Sequence, residues 1–303
     1  MAYINGNSDF LVVVTNTDEM NKMIYGYSGD DLYVYPDKTV EISEIEGNTL
    51  AGNTTIKCVV IPKSVTEIGE CAFSDCTALE VVKVYGQLEK IGKMAFENCS
   101  NLKSIEYLAK DEYGRTLTAK ALGTGAFLNS GLTSIDVTTT RTFANSAFKD
   151  CYNLQAIHCA SLADWLDFVE GAKAFGSINA NPLYMGHNLV IGGSRVKNLD
   201  LMAIAQHTKA TIPQYAFVGG AFSYIKIPRC IENIEVRAFA SNPKTNILDL
   251  TDYGSSVAFP TIDYNAFAGH KPTLILVPSG RKTELMSATN WSNIASNGVV
   301  EEV

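Results

Sequence analysis

The sequence predicts a solenoid, a stack of short chain coils that share one core. Three observations predict it. The dipeptide Ala-Phe recurs in one frame, beginning at Ala72, Ala95, Ala126, Ala147, Ala216, Ala238 and Ala266, and each copy has an apolar residue four places earlier: Ile68, Ile91, Leu122, Phe143, Ile212, Ile234 and Ile262. The shortest spacings between copies are 21 to 23 residues, a period that builds one turn of a repeat array whose units cannot bury their apolar faces alone. Between successive copies lies a short run that ends in strict apolar–polar alternation, as in Leu79-Glu-Val-Val-Lys-Val84. Such a run is a strand with one buried face.

Taken in chain order, residues 1–41 match nothing in the repeat and form an N-terminal cap or leader unit. Tyr25, Tyr27, Tyr33 and Tyr35 cluster there, suited either to an interface or to packing under the first coil. The array proper occupies 42–303. Its first clear copy, Ile61 to Leu79, and its second, Leu88 to Leu102, each place a Cys three after the Phe and a Leu three after the Cys. Further alternating runs are Leu102–Tyr107, Leu132–Val137, Leu154–Cys159, Val196–Leu201, Phe222–Ile227 and Thr245–Leu250. Stacked coil on coil, these runs should form a parallel sheet, with the Ala-Phe segment a short helical turn or a second strand on the opposite wall. Ala fits where a coil turns tightly against its neighbour, and Phe fills the space between coils. Pro62, Pro228 and Pro278 follow strands, where a missing N–H is tolerated. Long spacings mark insertions at Lys110–Thr118 and at about 161–196, and a C-terminal cap occupies about 273–303. Ala-Phe pairs at Ala174, Ala221 and Ala258 fall out of frame and are chance matches.

Composition narrows the function classes. Apolar residues make up 46% of the chain and charged residues 18%, as in a packed protein rather than a disordered one. A net charge of −8 and a pI near 5.1 exclude the basic face that nucleic-acid binding requires. No stretch reaches the ~18 apolar residues of a membrane span. The N-terminal residues lack a basic segment followed by an apolar one, so a signal peptide has been removed or the chain has none. Seven cysteines, without any Cys-x-x-Cys, give no zinc or redox motif. Cys76, Cys99 and Cys151 share one repeat position and are expected to be buried thiols rather than disulfides.

The segment Ile61-Pro-Lys-Ser-Val-Thr-Glu-Ile-Gly-Glu-Cys-Ala-Phe-Ser-Asp-Cys76 and its copies resemble the BspA-like (Treponema-type) leucine-rich repeat family. Ser161-Leu-Ala-Asp-Trp165, with Asn181-Pro-Leu-Tyr184 and His187-Asn-Leu-Val-Ile-Gly-Gly193, resembles a spacer between such repeats. Leu276-Val-Pro-Ser-Gly280, Ala288-Thr-Asn-Trp291 and Val299–Val303 resemble the closing cap. The resemblance covers Ile42 to Val303. It implies a right-handed leucine-rich repeat solenoid, β-rich and horseshoe-like with short helical turns. It also implies a secreted or cell-surface protein of a host-associated bacterium, used for adhesion through a protein or glycan ligand, possibly host-derived.

Within each alternating run the residue between the last two buried ones should face outward on the concave side. Down the array that position reads Val60, Lys83, Glu106, Asp136, His158, Asp200, Lys226, Asp249 and Leu276. Lys83, Glu106, Asp136, His158, Asp200, Lys226 and Asp249 are therefore the candidate ligand-binding residues, with Glu106, Asp136, His158 and Asp200 a mostly acidic run. The same ladder is also what the solvated face of half-buried strands would look like. His158, His187, His207 and His270 lack metal-binding spacing, and no cofactor is expected. Glu106, Asp136 and His158 could make an acid/base group, but no nucleophile motif or oxyanion donor accompanies them. The expectation is a non-catalytic binding protein. Its alternatives are a structural or receptor-binding part of a phage-tail particle and, third, a hydrolytic enzyme using the acidic strip.

Overall fold

The computed structural model describes residues 44–54, 56–61, 63, 65–144, 146–171, 181–186, 188–204 and 210–303, with the strands Phe10–Thr15 and Lys22–Gly26. Tyr27, Tyr33, Tyr35, Pro62, Ala174, His187 and His207 lie outside the described residues, and of Tyr25 and Phe143 only the backbone is described.

Every coil contributes to two walls. The alternating run supplies a strand of three or four residues, such as Val81–Val84, Ser104–Tyr107, Tyr224–Lys226 and Leu274–Val277. The residues leading into Ala-Phe supply a two-residue strand, such as Glu67–Ile68, Lys90–Ile91 and Asn233–Ile234. Both kinds pair in parallel with the equivalent strand of the next coil. The apolar member of each pair points into one buried cluster that runs from Ile45 to Val300.

The Ala-Phe segment itself is a turn rather than a helix. Residues with left-handed φ bracket it: Cys71 and Asp75, Met94 and Asn98, Arg237 and Ser241. Asp and Asn tolerate that region after the Phe, but Ser241 there, and Cys, Met and Arg before the Ala, are unusual. What holds them is the neighbouring coil. The Phe73 amide donates to Ala95 O at 2.9 Å, Phe96 to Ala126 at 2.8 Å and Phe217 to Ala238 at 2.7 Å. Each Phe ring lies flat on the next. Phe73, Phe96, Phe127 and Phe148 stack at 5.1, 5.4 and 5.5 Å between centroids, and Phe217, Phe239 and Phe267 at 5.5 and 5.0 Å. The out-of-frame Phe222 is buried as well, in the place that Leu79 and Leu102 take elsewhere.

One coil escaped the sequence pattern. Ile45 pairs with Ile68, and the Leu50 amide donates to Ala72 O at 2.8 Å. Leu50 thus stands where other coils carry Phe, and Thr49 where they carry Ala. Ahead of it, Phe10–Thr15 adds to the long-strand sheet beside Cys58–Ile61, and Lys22–Gly26 folds back on it antiparallel.

All seven cysteines are free thiols. Those at the shared position do more than fill space. Cys76 donates to Leu50 O at 3.2 Å, Cys99 to Phe73 O at 3.1 Å and Cys151 to Phe127 O at 3.0 Å. Each ties the turn of one coil to the Phe, or to Leu50 in its place, of the coil before.

The insertion around Trp165 divides the array in two. Helix α1, Leu162–Gly171, starts on a Ser161 cap that receives the Asp164 amide at 3.1 Å. It buries Trp165 and Phe168. The Trp165 indole N–H donates to Ala216 O at 2.9 Å, the carbonyl position that accepts the amide of the preceding coil's Phe, or of Leu50, elsewhere. Trp165 therefore closes the second stack from its N-terminal side. After α2, Pro182–Gly186, the strand Leu189–Ile191 extends the sheet of Ser134–Asp136 and Ala156–Cys159, and Ser194–Arg195 turns back antiparallel along it. The C-terminal cap repeats the device. Trp291, opening α4 (Trp291–Ile294) after α3 (Lys282–Ser287), donates its indole N–H to Pro260 O at 2.8 Å, and Asn290 Nδ2 donates to Ile262 O at 2.7 Å. In the coils before, the equivalent carbonyls Glu232 O and Ile234 O accept the amides of Thr261 and Asp263. Side chains of the cap thus stand in for a coil that is not there.

Candidate functional site

The outward ladder is in register, but in separate lengths. Val60, Lys83 and Glu106 are paired neighbours, as are Asp136 and His158, and Asp200, Lys226, Asp249 and Leu276. His158 is not followed by Asp200. Val190 from the insertion pairs with His158, Arg195 lies beyond it, and Asp200 begins a different sheet. The expected acidic run is therefore interrupted by a buried apolar residue.

Three acids of the ladder are also engaged with their own turns. Asp136 Oδ1 accepts from the Thr138 amide at 2.9 Å and the Thr138 hydroxyl at 2.7 Å. Asp200 Oδ1 accepts from the Met202 amide at 2.9 Å. Asp249 Oδ1 accepts from the Thr251 amide and hydroxyl at 2.8 and 2.7 Å. A strand-ending Asp that bonds the backbone two residues on is a turn device. Together with Val60, Asp249 departs furthest from the sequence expectation, being buried instead of facing solvent. Its Oδ2 accepts from the Tyr224 hydroxyl and lies 3.5 Å from Lys226 Nζ. Burial works to raise its pKa, but the bonds from Thr251 and Tyr224, with Lys226 beside it, outweigh that and hold the carboxyl below its ordinary range. Burial, then the Asp249 carboxylate, push the Tyr224 phenol up.

Apolar residues share this outer face. Asn198, Tyr224, Ile247, Leu274 and Val299 form one row across five strands, the last of them 56% exposed. Near the other end Tyr85 and Leu108, each one residue past a strand, are both exposed. Spaced about 4.8 Å apart by the ladder, these side chains make a face of mixed apolar and charged character.

A second feature lies off the ladder, and sequence reasoning missed it. The insertion after Tyr107 folds back on itself through the Lys110–Thr116 bridge and leans toward α1. Between them is a cavity of about 580 Å³ lined by Tyr113, Arg115, Arg141, Asp164, Asp167 and the apolar Leu162, among others. Arg115 Nε donates to Asp111 at 2.7 Å and its Nη1 to Asp164 at 3.4 Å. Arg141 Nη2 reaches Asp164 at 3.2 Å, and the Ser161 hydroxyl donates to the same carboxylate at 2.6 Å. The hydrogen bonds from Arg115 and from the amides of Arg115 and Tyr113 hold the Asp111 carboxyl below its ordinary range, against a desolvation that would raise it. Among the described residues no cluster of His, Cys, Asp or Glu is placed to hold a metal ion, and no helix is long and apolar enough to cross a membrane.

The family described as BspA type leucine rich repeat region matches residues 43–164 and 197–294 in six copies. The unmatched gap between those segments is the insertion. No curated protein matches the chain. Among solved structures, a leucine-rich repeat protein of T. pallidum is similar at 21% identity over 52% of this chain and 61% of its own, with a TM-score of 0.38. One from Bacteroides ovatus is similar at 15% identity over 88% and 63%, TM-score 0.44. A leucine rich cell surface protein of Faecalibacterium prausnitzii is similar at 18% identity over 100% and 89%, TM-score 0.33. The chain spans about three fifths of the length of the first two. With the family matching well over half of its residues, the chain belongs to the BspA type leucine-rich repeat family.

Proposed function

We propose that this chain is a non-catalytic binding module, displayed at a bacterial cell surface, whose outer strand face holds a protein partner. The observation that carries the reading is the row Tyr224, Ile247, Leu274 and Val299, laid side by side and flanked by outward charges such as Asp200 and Lys226. Aromatic and aliphatic side chains ringed by polar ones are the makeup of protein interfaces. The expected association with extracellular surfaces follows from the family to which the chain belongs. Of the group that could have served catalysis, Asp136 bonds to its own turn, which supports the same reading.

A panel of extracellular-matrix proteins, screened by surface plasmon resonance against the whole chain, tests it. Val299→Glu together with Lys83→Glu should weaken the bound partner by about tenfold or more, equivalent to ~1.4 kcal/mol. Folding stability should stay within about 0.5 kcal/mol, as for most surface changes. A partner whose affinity ignores both substitutions, or a substrate turned over by the chain, would sink the reading.

A further inference from the structure

We propose that the cleft between the 110–118 insertion and α1 is a second binding site, separate from the outer face, and that its ligand is a neutral oligosaccharide. Its size falls within the roughly 300–1,000 Å³ of small-ligand cavities. More telling is what lines it. Tyr113 is 76% exposed, so one face of its ring is open at the mouth of the cleft. The Arg115 guanidinium sits over that ring, 5.7 Å from its centroid, fixing one side of a flat platform. The C–H face of a pyranose is apolar and nearly planar, so it stacks on such a platform.

The charges select the ligand class. Arg115 and Arg141 face Asp111, Asp164 and Asp167, at N–O distances of 2.7 to 3.9 Å. An anionic ligand would meet guanidiniums already neutralised by carboxylates. A cationic one would meet carboxylates already held by guanidiniums. Hydroxyl groups both donate and accept, and so answer guanidinium N–H and carboxylate oxygen at once without adding charge. The network is also held in place before any ligand arrives. Asp164 is buried and fixed by Ser161, while Arg141 Nη1 donates to Thr138 O and Thr140 O at 3.0 and 3.1 Å. Side chains locked in this way lose little freedom on binding. The cleft forms where two insertions that interrupt the repeat meet.

The test is a glycan array carrying neutral, sialylated and sulfated oligosaccharides, followed by calorimetry with the best neutral one. Neutral glycans should bind. Tyr113→Ala should weaken that binding about tenfold or more without lowering the melting temperature, and Tyr113→Trp should restore it. Asp167→Ala should weaken it too, whereas Val299→Glu on the outer face should leave it unchanged. The proposal fails if no neutral glycan binds, if only sialylated or sulfated ones do, or if Tyr113→Ala binds as well as the parent chain. It fails equally if the Tyr113-dependent ligand turns out to be a protein. Because the outer-face variants and the cleft variants are read against different partners, either site can fail without the other.

Discussion

The two stacks on either side of Trp165 keep the same ring spacing by different local means. In the first, glycine follows the short-strand residue in three successive coils: Gly69, Gly92 and Gly123. A Cβ on Gly69 would come within 2.4 Å of Gly47 N, and one on Gly92 within 2.6 Å of Gly69 C. In the second stack the same place is held by Pro213, Glu235 and Asp263. The backbone bond made there measures 2.7, 2.7 and 2.8 Å where Gly69, Gly92 and Gly123 donate, and 3.0 Å where Glu235 and Asp263 do. The coils of the first stack thus lie slightly closer along this seam than those of the second. The Phe centroids remain 5.0 to 5.5 Å apart in both. The ring column is what the fold conserves internally, and the seam beside it is negotiable.

Removing a ring from either stack should therefore be the most damaging change. Phe96 lies between Phe73 and Phe127, and Phe239 between Phe217 and Phe267, both with no exposed surface. Truncating a buried Phe to Ala costs about 3–5 kcal/mol through lost burial and the cavity left behind. Phe96→Ala and Phe239→Ala should each fall in that range by urea denaturation. A loss below about 1 kcal/mol at either position would contradict the packing of that stack.

The seam should separate the stacks where the rings do not. At Gly92 a methyl must push on the Gly69–Glu70 backbone while Gly123 presses from the other side. Ala144 shows that a methyl is admitted at the last coil, where its amide still reaches Leu122 O at 2.8 Å, but no further coil of that stack confines it. Gly92→Ala should cost about 1–3 kcal/mol, the usual toll of overpacking. The matching Glu235→Ala removes an exposed side chain that accepts the Gln214 amide and should cost within about 0.5 kcal/mol. Equal losses from the two substitutions would mean that the glycine seam has no packing role.

How much of this could be read from the sequence depended on whether one coil carried the whole signal. The Ala-Phe frame was legible because ring, Ala and inward strand residue all come from one short segment, and the seven copies found are all coils. The coil at Ile45 was not, because Leu50 and Thr49 fill the same volume with different side chains. The register of the outward ladder was readable from period two alone. Its exposure was not, since Asp249 is buried through Tyr224 and Lys226 on neighbouring strands. The cleft was the least legible feature. Tyr113, Arg141 and Asp164 belong to three segments that meet only through tertiary folding, and the sole local hint was that two insertions interrupt the repeat.

The shared cysteine position offers the gentlest test of the contrast between stacks. Cys76, Cys99 and Cys151 are buried in the first stack, while the equivalent places in the second hold Gly220, Asn242 and His270. Burial, the largest cause in each, pushes the Cys76 and Cys151 thiols up to about 11 from an ordinary 9.0 and raises Cys99 as well. A thiol that ionises less readily in the fold than in the unfolded chain lends stability below its unfolded pKa. That stability is lost as pH climbs from about 9 toward 11. At pH 9.5 the loss should be under about 1 kcal/mol per thiol, and it should fall on the first stack. Hydrogen exchange of the Phe96 and Phe239 amides, compared at matched intrinsic rates between pH 8 and 9.5, reports each stack separately. Protection at Phe96 should decline more than at Phe239, and Cys99→Ser, which keeps a donor for Phe73 O, should reduce the difference. A decline of equal size at both amides would show that thiol ionisation is not what distinguishes them.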